Sequence, residues 1–143
     1  MKYLLASLLL LVLATPVYAS PIRGLNVFNA VNEERKVSQV KPLVPDATLV
    51  ALAQKKADDM ESRNYFGHAD PQGKKLYKDF FYSQTRFLAL GENLATSFDS
   101  NEALVRAWMN SPTHRSNIVL KQYRFTGIGI SKSGKYIVQY FAR

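Results

Sequence analysis

His68, in "NYFGHADPQG", and His114, in "MNSPTHRSN", are the only imidazoles in this chain. An imidazole is the side chain best suited to hold a metal ion or move a proton near neutral pH. A lone histidine, however, is more often a hydrogen-bonded surface or core residue. Glu92 is the third group that could join such chemistry. It stands between Gly91 and Asn93 in "LALGENLA", an otherwise apolar stretch where a carboxylate needs a partner to offset its desolvation. Two neutral imidazoles and a carboxylate form a ligand set that suits zinc and leaves one position open for water. The three lie 24 and 22 residues apart, so spacing alone does not bring them together. A buried structural hydrogen-bond network accounts for the same residues equally well.

Other chemistry is excluded by residue type. The chain has no cysteine, which removes thiol nucleophiles, zinc fingers, disulfides and lipid attachment at a processed N-terminus. It has neither a G-x-S-x-G elbow nor an H-E-x-x-H pair. "GHADPQGKK" resembles a phosphate loop only superficially. Its glycines enclose five residues rather than four, and Lys75 stands where Ser or Thr belongs.

The N-terminus reads as an address. Lys2, an apolar run over 4–14 and the Val17-Tyr18-Ala19 step make residues 1–19 a secretory signal peptide cleaved after Ala19. The run is too short for the roughly 20 residues that span a bilayer. Residues 20–143 form one domain, large enough to hold together by its core alone. No transmembrane segment is expected in the mature chain, which is read as an exported monomer, periplasmic or secreted. Its net charge of +8 before processing could favour anionic partners. The cations are scattered along the chain (Lys55/Lys56, Lys74/Lys75, Arg115, Lys121, Arg124, Lys132, Lys135), so they read as a solvated surface and no nucleic acid is expected.

The elements that must position the three groups follow from periodicity. Residues 25–37 carry apolar residues at helical spacing, with Asn32 and Arg35 among them. "KPLVPD" breaks that helix. Asp46 then caps a second one, whose stripe of Leu49, Leu52, Ala53, Ala57 and Met60 ends near Asn64. His68 lies beyond, on a turn marked by Gly67, Pro71 and Gly73. "LYKDFFYSQTRF" reads as a helix of poor period and "LALGENLA" as a short strand. A helix opening at Ser100 halts at Ser111-Pro112, and a second one starting at Pro112 puts His114 near its N-terminus. "FTGIGISKSGKYIVQYFAR" is a β-hairpin turning through 132–135. Helices first and a hairpin last argue for an α+β sandwich with helices covering an antiparallel sheet.

"YFGHADPQGK", "GENLA", "AWMNSPTHRSNI", "GIGI" and "YIVQYFA" occur in this order and resemble the CAP superfamily, whose domain is also called SCP. That family takes in cysteine-rich secretory proteins, antigen 5 and pathogenesis-related 1; the likeness is to its short bacterial members. It extends from the Asn-x-x-Arg of Asn32 and Arg35 to the last strand. The resemblance implies a three-layer α-β-α sandwich with a cleft lined by a His-Glu-Glu-His tetrad. Three of the four groups fall on His68, Glu92 and His114. The remaining glutamate belongs three residues after Trp108, where this chain has Ser111. Ser111 and Asn93 are expected to line the same cleft.

The resemblance implies a binding scaffold more than an enzyme. The preferred reading is therefore an exported binding or interaction module for a cell-envelope or extracellular ligand. Its cleft would take a divalent cation such as zinc, or a small or lipid ligand, and no cofactor is required. The alternatives are a metal-dependent hydrolase in which His68, Glu92 and His114 activate water, and a purely structural cluster.

Overall fold

The computed structural model describes residues 21–83 and 86–143; the expected signal peptide lies outside them. Helix α1 (Gly24–Val37) leads into a two-residue strand β1 (Val44–Pro45) and helix α2 (Ala47–Ser62). A loop bearing His68 follows, then α3 (Leu76–Tyr82), β2 (Leu90–Thr96), α4 (Asn101–Asn110) and α5 (Pro112–Val119). The hairpin β3 (Phe125–Ile130) and β4 (Tyr136–Ala142) ends the chain. Among the described residues no helix is long and apolar enough to cross a membrane.

The sheet order is β1-β3-β4-β2. β4 runs antiparallel to both neighbours, whereas β1 is parallel to β3, so the sheet is mixed rather than purely antiparallel. The added strand lies inside "KPLVPD", the segment read as a break. There the Val44 amide donates to the Arg124 carbonyl and the Asp46 amide to that of Thr126. Pro45 has no amide to donate, and the Asp46 side chain turns at once to cap α2 through the Thr48 and Leu49 amides. Two residues of pairing are all the sequence allows.

β4 is buried along its whole length because helices cover both faces. Ile137 and Phe141 pack with Val31, Leu104, Trp108 and Ile118 from α1, α4 and α5. Val138 and Tyr140, one pleat over, pack with Leu49, Ala53, Ala57 and Met60 of α2. Ile137 and Val138 thus serve opposite layers, while Ile128 and Ile130 are half-buried. The result is a three-layer α-β-α sandwich.

Two features set how closely the layers sit. A Cβ on Gly127 or Gly129 would fall 2.1 or 2.2 Å from backbone atoms of α2, so "GIGI" is the seat of that helix. Gln54 on α2 also closes the free edge of β3, donating to the Ile130 carbonyl at 2.8 Å and accepting from its amide at 3.2 Å. On the other side, Asn32 brackets Leu43, donating to its carbonyl and accepting from its amide. Arg35 is fully buried and donates to the carbonyls of Lys41, Ile118, Leu120 and Tyr123. The Asn-x-x-Arg pattern is a clamp on the two loops that follow α1 and α5.

Candidate functional site

α2 runs out at Ser62, and the loop after it is fixed by its own polar residues. The Asp70 carboxylate accepts from the amides of Gln72 and Lys74, and Arg63 donates to it at 2.9 Å. The Arg63 bond in particular holds the Asp70 carboxyl below its usual range. Gly73, at φ 80°, supplies the left-handed step of this Asp-Pro-Gln-Gly turn. From beneath, Lys56 donates to the Tyr65 hydroxyl at 3.1 Å and to the His68 carbonyl at 3.4 Å.

That loop delivers His68 to β2. The His68 Nδ1 lies 2.5 Å from Glu92 Oε1, and the Tyr140 hydroxyl donates to Glu92 Oε2 at 2.5 Å. Both carboxylate oxygens are thereby occupied in a buried setting, the partner that an apolar surround demanded. A neutral His68 then carries its proton on Nδ1 and leaves Nε2 as the free lone pair on a side chain 53% exposed. Burial, reinforced by the Glu92 charge, pushes the Tyr140 hydroxyl far above its ordinary range, so it stays a donor. Burial pulls the Lys56 ammonium down, against the raising effect of Glu92, Asp59 and Asp70.

The Gly-Glu-Asn triplet splits its duties across the strand. Gly91 leaves no room for a side chain, since a Cβ would meet the Tyr123 hydroxyl at 2.5 Å. Glu92 faces α2. Asn93, fully buried, faces α5, donating to the His114 carbonyl at 3.1 Å and accepting from the Asn117 amide at 2.9 Å. His114 is therefore carried on the first turn of α5, which Pro112 starts after the extended Ser111. Its pKa is lowered by burial and then by the charge of His68.

The groove at this place has a volume of about 340 Å³ and is lined by His68, Lys75, Tyr77, Leu90, Gly91 and Glu92. Asn93 lies behind the strand instead of in the groove wall. Ser111 sits at the α4–α5 corner with its hydroxyl 3.2 Å from that of Thr113, also outside that lining. His68 and Glu92 are in direct contact; His114 is outside the groove lining, and a charge on His68 is the second cause, after burial, of its lowered pKa. Among the described residues no three of His, Cys, Asp or Glu are placed to hold a metal ion. Glu92 is turned into its contacts with His68 and Tyr140.

Sequence reasoning missed Lys56 and Tyr140. Lys56 was grouped with the surface cations, yet it is buried. Its position, three residues after Ala53 and four before Met60, placed it on the apolar stripe of α2. Tyr140 could have been paired with Glu92 only through the β2–β4 register.

The comparisons agree with this architecture. The chain is 35% identical over 115 residues to the Bacillus subtilis protein YkwD, covering 80% of this chain and 45% of that one. An extracellular protein of Bacillus anthracis containing an SCP domain superposes with a TM-score of 0.76 at 28% identity, over 84% of this chain and 40% of that one. An outer surface protein of Borrelia burgdorferi shares the fold, with a TM-score of 0.72 at 21% identity over 82% and 89% of the two chains. The chain thus spans less than half the length of the first two relatives. The family model for the cysteine-rich secretory protein family, CAP, matches residues 28–141. From the clamp on α1 to the last strand, this chain belongs to the CAP family.

Proposed function

We propose that the protein is an exported binding module that takes a divalent cation, zinc being the best chemical match, between His68 and His114. The observation that carries this reading is the 2.5 Å contact from His68 Nδ1 to a buried Glu92. Ligating histidines characteristically donate their second ring nitrogen to a carboxylate, which fixes the tautomer and raises ligand basicity. Glu92 would then act through His68 rather than on the metal, with Tyr140 holding its other oxygen. His68 Nε2 and His114 would supply the protein ligands, and water would complete a tetrahedral set. Two protein ligands support weak to moderate affinity. Export rests on the leader, and the SCP-domain relative from B. anthracis is described as extracellular.

Zinc titration by calorimetry at pH 7.5, on mature protein purified without chelator or metal resin, tests the site. Wild type should bind one ion, and His68→Ala and His114→Ala should each abolish binding while the circular dichroism spectrum is unchanged. Absence of binding by wild type, or unaltered binding by either variant, would refute the reading. Turnover of pooled ester, peptide, phosphodiester and glycan substrates by the zinc-loaded protein would favour a metal-dependent hydrolase instead.

A further inference from the structure

Lys41 and Lys121 are 80 residues apart in sequence, yet they share one groove. It is lined by the segments 39–44 and 121–125, encloses about 570 Å³, and carries Lys41, Lys121 and Arg124 with no acidic residue in its lining. All three cations are exposed, and none forms an ion pair among the described residues. Val40, Pro42 and Phe125 add apolar wall between them. The dispersed cations of the sequence are, for these three, a cluster.

Arg35 underlies the groove. Its guanidinium is fully buried and makes its four hydrogen bonds to backbone carbonyls, two of them Lys41 and Tyr123 in the groove walls themselves. Buried charges are ordinarily paired with an opposite charge. Among the described residues no carboxylate pairs with the cation, so its positive field adds to that of the three exposed ones. The same bonds tie both walls to α1, which makes the groove preformed and lowers the ordering cost of binding.

We infer that this groove is a second binding site, for the phosphodiester groups of a linear anionic polymer. Exposed cations each attract an anion only weakly, so three of them hold a free phosphate with a Kd of roughly 10 mM or above. A polymer presenting successive phosphates gains by effective concentration. The apolar wall suits the carbon linkers between its charges.

The test uses labelled poly(glycerol phosphate) and fluorescence anisotropy on the mature chain. Lys41→Gln/Lys121→Gln/Arg124→Gln is compared with Lys55→Gln/Lys78→Gln/Lys132→Gln, which removes equal charge from exposed sites elsewhere. The groove variant should bind at least tenfold more weakly, and the control within about threefold of wild type. Wild-type affinity should fall about eighteenfold between 50 and 200 mM salt, the expectation for three phosphate contacts on a flexible strand. The groove variant should lose most of that dependence while keeping its melting temperature and its zinc titration. Equal losses in both variants would assign binding to net charge and overturn the site. So would displacement by a few millimolar inorganic phosphate, or tighter groove-dependent binding of a single-stranded oligonucleotide of matched charge.

Discussion

Replacing Gly129 by alanine should be among the most damaging single-methyl additions this fold can receive. The new Cβ would lie 2.2 Å from the Ala53 carbonyl carbon and the Gln54 nitrogen. Relaxed carbon contacts need about 3.5–4.0 Å, so α2 must retreat by more than about 1 Å. No side chain can rotate out of the way, because both partners are backbone. The face that retreats holds Leu49, Ala53, Ala57 and Met60, each at 0% exposure, and the Gln54 bonds to Ile130 are lost with it. Overpacking costs about 1–3 kcal/mol, occasionally more, and two hydrogen bonds add about 1 kcal/mol each. The expected loss is about 4 kcal/mol, a large share of the roughly 5–15 kcal/mol that stabilises a domain. Urea unfolding followed by circular dichroism should show the midpoint lowered by about 2 M. Two controls calibrate the result. Gly24→Ala meets only ordinary contacts at 3.8 Å or beyond and should be neutral or stabilising by up to about 1 kcal/mol. Gly134→Ala has open space but a φ of +78°, costing about 1–2 kcal/mol. A Gly129→Ala protein unfolding within about 1 kcal/mol of wild type would refute the close-seating argument.

Zinc affinity should fall below about pH 6, where protons compete for ligating imidazoles. Burial, then the charge of His68, lowers the His114 pKa, so His114 should stay neutral to a lower pH than a free imidazole. Glu92→Gln should weaken zinc by about 10–100-fold without abolishing it, as calorimetry would read directly; complete loss would make Glu92 a ligand after all. Asp46→Ala removes the cap on the Thr48 and Leu49 amides and the 2.6 Å ion pair with Arg86, and should cost about 1–2 kcal/mol in urea unfolding. Ile137→Asp buries an unpaired charge at a position of 0% exposure and should lose more than about 4 kcal/mol, whereas the half-buried Ile130→Asp should lose less. Equal melting of the two would contradict the layer assignment.

Periodicity and punctuation in the sequence were sufficient for the helices, β2 and the hairpin, but not for β1. Asp46 and Ser100 cap α2 and α4, Pro112 begins α5, and the hairpin turns through 132–135. These are local effects, settled by neighbours within a few residues. The pairing of His68 with Glu92 was nominated by residue type, and the family motifs put both in one cleft. What the strand pleat decided was invisible in one dimension: Glu92 and Asn93 are adjacent, yet one faces α2 and the other α5. That alternation turned Glu92 into a carboxylate shared by His68 and Tyr140 and sent Asn93 behind the strand to hold His114. The parallel strand β1 depends on two amides finding carbonyls some 80 residues away. The burial of Lys56 and the gathering of Lys41, Lys121 and Arg124 have the same origin. Charge patterning along a chain reports separation in sequence, whereas the field at a surface depends on separation in space, and only the packing of α1 against the loops after it and after α5 sets that distance.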